Sequence, residues 1–349
     1  MMPQSMRRII VVWLCFMFVI NLAGLPKAEA GSLISKDQEI SIGRDVAKQL
    51  EKEYGLVNDP ALQERVNRIG QSLVAVSDRR DLTYSFKVLN SKDVNALAAP
   101  GGYIYVFKGL VDLMPSDDEL AGVIGHEVGH VVKRHTVHQI EKSLGMSILF
   151  GFIFGDRGAF LQNLALNAIM AGHSRDDERE ADKLGFLHSY KAGYNPYSMT
   201  MGLQKLSELD QKYHYDLFSD HPEGRARIAL VQTYLNEAQI KPQAVVAEDG
   251  KSAQLIDGEW KTPPIYAVYE GYKPLNRAYF AAGTLYRLSQ LTDYSADKFI
   301  TVSDGTNCAI YYDDKKVIIL TPEDAEASGT STMDLAGAYI EKIKEWKVR

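Results

Sequence analysis

The pattern of apolar and polar residues divides the first third of the chain into helices and strands. Apolar residues recur at helical spacing over Ile34–Gly55 and Pro60–Val76. Leu82–Asn90 alternates between apolar and polar residues, and Gly102–Phe107 is rich in aromatic and β-branched residues, as is typical of strands. Asn95–Gly102 lies between them and contains a Pro-Gly-Gly turn. The pattern therefore predicts two helices followed by a small sheet.

A helix with a strong start signal follows this sheet. Ser116 and Glu119 form the capping box S-x-x-E, and the two aspartates between them favour the positive end of the helix. Helical spacing of apolar residues continues through Leu120 to at least His135. We therefore predict one continuous helix over this stretch.

The middle of the chain is predicted to be helical apart from one apolar interruption. Ser143–Gly155 is apolar and contains several glycines, but it is too short to span a bilayer. It is predicted to be a mobile lid or a packed hairpin, with an ordinary core segment as the alternative. Helical spacing resumes over Ala159–Lys191 and Tyr197–Leu217, and Ser219–Leu235 starts with a loop and ends in a helix.

A change of composition near residue 240 predicts a boundary between two domains. Ile240–Gly250 is a plausible linker, and a small α+β unit is expected after it. In that unit Asn307–Leu320 is typical of a hairpin and Met333–Lys347 of a final helix. The predicted order is a signal peptide at 1–30, a main domain at 31–240, a linker at 241–250 and an accessory domain at 251–349.

Composition and charge narrow the class of protein. With 349 residues, of which 46% are hydrophobic, the chain can bury a full core and has room for two domains. The formal net charge is −6, so basic residues are not in excess, and the sequence contains no long run of like charges. We therefore expect a globular protein without a nucleic-acid partner.

The first thirty residues have the three parts of a secretory signal. Arg7 and Arg8 precede the apolar run Ile9–Leu25, and the small-residue sequence Ala28–Ala30 follows. This order predicts export across the inner membrane and cleavage directly after the small residues. The alternative is an uncleaved anchor, because the apolar run is at the short limit for a membrane span. Cleavage would leave Cys308 as the one cysteine, so no internal disulfide is expected.

The capped helix carries the zinc-binding spacing H-E-x-x-H. His126 and His130 are one helical turn apart, so both imidazoles can approach the same ion. Zinc suits two histidines and a carboxylate, with a water molecule in the fourth position. Glu127 points roughly 100° around the helix from His126, which places it beside the ion as a base for that water. The helix therefore lacks one ligand.

Two further histidines follow the motif, and helix geometry separates them from the ion. His138 lies roughly 12 Å along the helix axis from His130, too far to share the ion. His135 would be rotated away from the ligand face of a continuous helix. We expect both to be solvated, or to contact a ligand without binding the ion.

The acidic stretch Ser174–Gly185 is the best source of the missing ligand. Glu178 and Asp182 are spaced E-x-x-x-D, which places both carboxylates on one helix face with the small Ala181 between them. One of them can bind zinc while the other accepts the N–H of a ligand histidine. The alternative is a solvated helix face, since the stretch also carries basic residues.

Several stretches, taken in order, resemble the HtpX- and BepA-type zinc metallopeptidases, relatives of the CAAX prenyl proteases. They are VNALAAPGGYIYVFKGLVDL, DELAGVIGHEVGHVVKRH, SRDDEREADKLG, AGYNP and HPEGRARI. The histidine motif with a downstream helical E-x-x-x-D is the gluzincin arrangement, and the resemblance extends over Ser35–Leu235. It implies one zinc ion per chain, held by His126, His130 and Glu178, with Glu127 as the general base.

The same resemblance implies a strand that binds the substrate. The sequence NALAAPGGYIYV looks like the family's edge strand, to which an extended peptide would add as a further strand. Two glycines there would let a second backbone approach closely. The family usually carries an aromatic residue where Leu97 stands. The candidate substrate-binding residues are Asn95, Ala98, Pro100, Gly101 and Gly102.

Three residues receive supporting roles from the resemblance. Asp182 is expected to hold a ligand histidine. His221 and Arg227 match the family's H-P-x-x-x-x-R. Arg227 is the favoured group to stabilise the oxyanion of the attacked carbonyl. His221 could assist, or its neutral imidazole could occupy the fourth zinc position and hold the enzyme closed.

The resemblance also implies a fold and a function. The expected fold is a mainly helical α+β metallopeptidase domain with a small mixed sheet, followed by a small α+β C-terminal domain. The expected function is zinc-dependent cleavage of extended or misfolded cell-envelope polypeptides in the periplasm, with membrane or outer-membrane assembly proteins as candidate partners. The alternatives are a chaperone or assembly factor with a latent zinc site, and a helical protein with an accidental motif.

Overall fold

Three continuous parts of the chain build the fold. The computed structural model describes residues 32–149, 157–213 and 224–347. The predicted signal segment, the end of the apolar stretch at 150–156 and the candidate residue His221 lie outside these ranges.

Capping side chains fix the start of the first two helices. Helix α1 spans Lys36–Tyr54 and helix α2 spans Pro60–Ala75. Ser35 closes a reciprocal capping box at the start of α1, and Asp59 accepts a backbone N–H at the start of α2. These bonds satisfy N–H groups that have no partner inside the helix. Both predicted helices are therefore present.

A mixed three-stranded sheet follows, and its order decides which strand lies at the edge. Strand β1 spans Ser85–Leu89, β2 spans Ala96–Ala99 and β3 spans Tyr103–Phe107. The order is β1-β3-β2, with β3 parallel to β1 and antiparallel to β2. Within the residues that the structure describes, strand β2 is therefore paired on one side only. A short helix α3, Lys108–Leu113, leads from the sheet to the next helix.

The predicted continuous helix is broken, so this prediction was wrong. Helix α4 spans Asp117–Lys133 and helix α5 spans His135–Leu149. Arg134 between them has φ 57° and ψ 31°, the left-handed conformation that ends a helix. A non-glycine residue adopts it only when the surroundings hold it there. The chain therefore changes direction directly after the histidine motif.

Four more helices complete the first part of the fold. They are α6 (Arg157–Met170), α7 (Arg175–Lys191), α8 (Ser198–Tyr213) and α9 (Gly224–Glu237). The stretch predicted as helical over Ala159–Lys191 is interrupted before Ser174, which caps α7. Within the three described ranges, no helix has both the length and the apolar character needed to cross a membrane.

The C-terminal part combines two small antiparallel sheets with three helices. Its elements are β4 (Gln243–Val246), β5 (Ala253–Asp257), β6 (Trp260–Lys261), α10 (Pro274–Ser289), β7 (Phe299–Ser303), β8 (Cys308–Tyr312), β9 (Lys315–Leu320), α11 (Pro322–Ala327) and α12 (Thr332–Lys347). The predicted hairpin and final helix are present, and Cys308 is buried. The mainly helical α+β architecture with a small mixed sheet is confirmed.

One hydrophobic core is shared by helices α7 to α9 and the C-terminal part, which runs from β4 to α12. Phe186 of α7 and Leu235 of α9 are in the same cluster of buried residues as Trp260 and Tyr279. Strand β4 lies inside the predicted linker and pairs with β5. Helices α7 to α9 and the C-terminal part are therefore packed together. The domain boundaries at 240 and 250 stay a prediction.

A buried ion pair supports the C-terminal part, and its loss should destabilise the fold. Asp324 is fully buried and accepts hydrogen bonds from Arg277 Nη2 at 2.7 Å and from the backbone N–H groups of Tyr266 and Ala267. Asp324→Asn leaves a buried guanidinium without its counter-charge, which costs about 3–5 kcal/mol. We expect urea unfolding to show this loss in the free energy of unfolding. For the exposed control Glu345→Gln, the free energy of unfolding should stay within about 0.5 kcal/mol of wild type.

The same pair predicts a pH dependence. Burial alone would raise the pKa of Asp324, but the hydrogen bonds and charge of Arg277 outweigh it and lower the pKa. The carboxylate therefore contributes stability above its unfolded pKa of about 4, and this is lost as the pH falls through the lowered folded value. The difference in unfolding free energy between wild type and Asp324→Asn should narrow in acid. An unchanged difference down to pH 2 would contradict the assignment.

Candidate metal centre

Helix α4 carries two buried histidines that face each other. His126 and His130 are both nearly inaccessible to solvent, and their Nε2 atoms lie 2.9 Å apart. The one-turn spacing on a straight helix accounts for this approach. The two lone pairs can therefore be directed at one point.

Helix α7 supplies a third candidate ligand, a carboxylate. Glu178 is 1% exposed, and its two carboxylate oxygens lie 3.4 Å from His126 Nε2 and 3.3 Å from His130 Nε2. Ser174 begins α7 with a capping box, which sets the position of Glu178 in its first turn. Among the described residues, His126, His130 and Glu178 form a group whose ligand atoms all lie within 4.8 Å of one another.

Small residues let the two helices come close enough for this contact. A Cβ atom on Gly129 would lie 3.1 Å from Ala181 Cα, and one on Gly185 would lie 3.0 Å from the backbone nitrogen of His126. Backbone atoms cannot move aside as a flexible side chain can. A larger side chain at either glycine would therefore push α7 away from α4 and draw Glu178 off the histidines.

The donor set fits a tetrahedral zinc ion. Zinc binds histidine nitrogen and carboxylate oxygen at about 2.0–2.2 Å, so neighbouring ligand atoms around it are about 3.3 Å apart. The two distances from Glu178 to the histidines match that value. The two imidazole nitrogens, at 2.9 Å, would have to separate by about 0.4 Å to reach it. Two imidazoles and one carboxylate are also the donors that zinc prefers.

Asp182 holds one of the two histidines from behind. Its Oδ1 lies 2.9 Å from His126 Nδ1, and the carboxylate is completely buried. A carboxylate that accepts the Nδ1–H of a histidine leaves the Nε2 lone pair free for a metal. The predicted contact between Asp182 and a candidate ligand is therefore present.

Arg227 binds the two carboxylates of α7. Its Nε and Nη2 donate to Asp182 at 2.7 and 2.6 Å, and its Nη1 lies 2.9 Å from Glu178 Oε2. Burial alone would lower the pKa of the guanidinium, but Asp182 raises it, so Arg227 is charged. Burial likewise opposes ionisation of Asp182, whereas Arg227 lowers the pKa of this carboxyl group. This contact positions the candidate ligand and its neighbour, and the oxyanion role of Arg227 stays a prediction.

The break at Arg134 brings His135 back to the motif. His135 is 3% exposed, and its Nδ1 lies 2.9 Å from His130 Nδ1, whereas His138 is exposed to solvent. The expectation that His135 would be rotated away from the motif was wrong because it assumed a continuous helix. Of the two outcomes left open for His135, contact with a candidate ligand is the one observed.

Sequence reasoning missed one histidine of the site, His173. It lies in the loop before α7, and its ring is stacked on that of His130 with centroids 3.9 Å apart. It also lines a cavity together with Glu127 and Ala98. The one available signal was its position directly before the capping Ser174.

The pKa values of the two facing histidines move in opposite directions without a metal. Burial alone would lower the pKa of His126, but the charge of Glu178 and the bond to Asp182 raise it to about 9. Burial, together with the charge of nearby His173, lowers the pKa of His130. At neutral pH and without a metal, these shifts favour a second ring proton on His126 and a neutral His130. A metal would have to displace that proton, as is general for ligand histidines.

Glu127 lies between the histidines and the edge strand. It is buried and lines two cavities, one shared with His126, Arg227 and Asn95, the other with Ala98 and His173. The candidate base, a candidate ligand and the predicted substrate strand thus border the same space.

The pairing of β2 shows which backbone groups are directed at the open edge. Phe107 donates its backbone N–H to Asn95 O at 2.9 Å, so in this antiparallel register Leu97 and Ala99 exchange hydrogen bonds with β3. The N–H and C=O groups of Ala96 and Ala98 therefore point away from β3. The N–H of Ala96 is bonded to the side chain of Asn95 at 2.8 Å.

The other predicted substrate residues lie at the far end of β2. Pro100–Gly102 form a buried turn against α1. A Cβ on Gly101 would lie 2.7 Å from Ile40 Cα, so the backbone that approaches this glycine belongs to the chain itself. Substrate contact at Pro100, Gly101 and Gly102 stays a prediction.

Comparison with known families covers both parts of the chain. The model of peptidase family M48 matches residues 60–235, half of the chain. A domain of unknown function, DUF8459, matches residues 261–347. The family match contains the histidine motif, the E-x-x-x-D pair and Arg227.

Three relatives show how far the similarity extends. The beta-barrel assembly-enhancing protease of Escherichia coli (strain K12) is 28% identical over 242 residues, 63% of this chain and 48% of the relative. The mitochondrial metalloendopeptidase OMA1 of Arabidopsis thaliana is 32% identical over 218 residues, 60% of this chain and 44% of the relative. The metalloprotease LoiP of Escherichia coli (strain K12) is 31% identical over 164 residues, 45% of this chain and 65% of the relative.

The similarity is partial for the longer relatives, because the chain spans less than half the length of the first two. The name of each of these two relatives applies to the whole protein, of which this chain matches less than half. The family match itself covers half of this chain and includes all of the residues that meet at the candidate metal centre. The chain belongs to peptidase family M48.

Proposed function

We propose that the protein is a zinc-dependent endopeptidase that cleaves extended polypeptides. The observation that carries the proposal is the group His126, His130 and Glu178, buried together beside a cavity that Glu127 lines. A buried His-His-carboxylate group, next to a further carboxylate and to a strand edge that pairs with no other strand among the described residues, supports metal-assisted hydrolysis.

In this proposal one zinc ion is held by the Nε2 atoms of the two histidines and by the Glu178 carboxylate. When bound, zinc would polarise the scissile carbonyl and lower the pKa of a water molecule toward neutrality. Asp182 and Arg227 keep His126 and Glu178 in place through the bonds described above. Glu178 is thus oriented from one side by its helix and from the other by the guanidinium.

Glu127 is the proposed general base. Its carboxylate accepts a proton from the attacking water and delivers it to the amine that leaves. Its place on both cavities supports this role, because water and the substrate carbonyl would meet there. Among the described residues that line these two cavities, Glu127 is the one carboxylate.

The proposed substrate is an extended peptide that pairs with β2. The outward N–H and C=O groups of Ala96 and Ala98 can form backbone hydrogen bonds with a further strand, whatever side chains that strand carries. This favours broad specificity for unfolded segments. Thr136 Oγ1 donates to Ala98 O at 3.5 Å, so this carbonyl would use its second lone pair for the substrate. Asn95, whose side chain occupies the N–H of Ala96, would have to release that group to the substrate.

The proposed setting is the cell envelope. It rests on the signal-like residues 1–30 and on the similarity to a relative named beta-barrel assembly-enhancing protease. Outer-membrane assembly proteins and misfolded envelope proteins are accordingly the proposed partners and substrates. The periplasm is the proposed location, with or without attachment to a membrane.

Casein cleavage by the purified protein tests the proposal. We expect cleavage that stops after zinc is removed with a chelator and returns when zinc alone is added back. Zinc bound without any turnover would instead favour a chaperone or assembly factor with a latent site. Absence of both binding and turnover would leave the motif without a metal function.

A further inference from the structure

His135 is buried at the back of the candidate metal centre, where it touches a candidate ligand. Its Nδ1 lies 2.9 Å from His130 Nδ1, and its Nε2 lies 3.2 Å from Glu180 Oε2. Lys133 in turn lies 2.7 Å from Glu180 Oε1. These contacts form a line from His130 through His135 to the protein surface.

The contact between two Nδ1 atoms restricts the protons on both rings. Only one of the two nitrogens can donate at this distance, and the other must accept. If His130 binds a metal through Nε2, its one remaining proton is on Nδ1, so Nδ1 of His130 donates to His135. His135 then carries its own proton on Nε2, which faces the Glu180 carboxylate. The proton on His130 Nδ1 is then accepted by His135, and the proton on His135 Nε2 is accepted by Glu180.

The break in the helix is what makes this contact, and the fold braces it. Arg134 holds the left-handed conformation while its Nε donates to Glu39 at 2.9 Å and its Nη2 donates to Ile34 O at 2.8 Å. Glu39 is 1% exposed and also binds Arg79. A residue in an unfavourable backbone conformation persists when its surroundings over-determine it, and such residues are found at functional sites.

The two candidate ligand histidines therefore have different partners. His126 is held by the carboxylate of Asp182, whereas His130 is held by a neutral imidazole that a partly exposed carboxylate supports. Groups that accept the second N–H of a ligand histidine set its tautomer and orientation, and their loss typically lowers metal affinity 10–100-fold.

We propose that His135 is a positioning residue for the metal site, which fixes the tautomer and ring orientation of His130 by accepting its Nδ1–H. The proposal rests on the proposed function in one respect, namely that His130 binds a metal through Nε2. It assigns no contact between His135 and the ion or the substrate.

Zinc affinity of the full-length protein, measured by competition with a chromophoric chelator, tests the proposal. His135→Leu keeps an apolar side chain in the space but removes the acceptor, and we expect affinity to fall about 10–100-fold. His135→Asn places its Oδ1 where the imidazole has Nδ1, and should keep the affinity within about threefold of wild type. The exposed His138→Ala is the matched control and should change nothing.

The pattern across these variants separates hydrogen bonding from packing. Equal affinity of wild type and His135→Leu would overturn the proposal, and so would a loss in His135→Asn as large as in His135→Leu. Thermal unfolding of the chelator-treated proteins shows whether a variant is folded before zinc is added. A wild-type protein that binds no zinc would contradict the proposed function itself, which is a different outcome.

Discussion

Replacing Glu127 by glutamine should abolish peptide cleavage and leave zinc in place. The amide cannot take a proton from water, whereas it has nearly the size and shape of the carboxylate it replaces. General bases typically contribute 10²–10⁴-fold to a rate, so we expect kcat for casein or a fluorogenic peptide to fall at least about 100-fold. Glu127 is not among the three residues grouped for metal binding, so the zinc content should match wild type.

The matched control for this substitution is Asp176→Asn. Like Glu127→Gln, this substitution removes one carboxylate charge, but the Asp176 side chain is 93% exposed on α7. We expect wild-type cleavage from this control. Retained activity in Glu127→Gln, with zinc bound, would remove Glu127 from the proposed mechanism.

Substitution Glu178→Ala should abolish high-affinity zinc binding. Among the described residues, Glu178 is the one carboxylate that lies within 3.4 Å of both imidazoles, and its loss leaves two of the three grouped donors. Loss of a group that merely orients a ligand costs 10–100-fold in affinity, and loss of a ligand should exceed about 100-fold. The measurement is zinc content after purification together with a chelator competition titration.

The same substitution also removes a partner of Arg227, so folding must be measured separately. Arg227 keeps its two bonds to Asp182, and we therefore expect the chelator-treated variant to stay folded in a thermal unfolding experiment. A folded Glu178→Ala protein that binds zinc as tightly as wild type would exclude Glu178 as a ligand.

Local sequence patterns predicted most of the elements that carry the site. The capping box at Ser116 and the one-turn spacing of the motif predict a helix that presents His126 and His130 on one face. The E-x-x-x-D spacing likewise predicts Glu178 and Asp182 on one face of α7. The structure brings these four side chains together, and their roles remain a proposal for experiment.

Contacts between distant residues account for what the sequence did not predict. The break at Arg134 depends on Glu39, which is 95 positions earlier in the chain, so no local pattern signals it. Helical spacing through His135 therefore suggested one continuous helix. His173 was missed for a similar reason, because a loop residue has no periodicity that indicates where its ring lies.

Tertiary packing also decided the surroundings of Arg227 and of the C-terminal part. The sequence shows one arginine after a predicted loop, whereas the structure shows it bonded to two carboxylates of α7. In the same way, a stretch with the composition of a linker pairs as β4 with β5. Both outcomes depend on which helices and strands become neighbours.

The most direct test of the zinc centre is a crystal structure of the protein loaded with zinc, with anomalous diffraction measured at the zinc absorption edge. We expect one strong peak per chain, about 2.0–2.2 Å from His126 Nε2, His130 Nε2 and a carboxylate oxygen of Glu178. A peak bonded to other residues, or no peak at this position in zinc-loaded crystals, would contradict it.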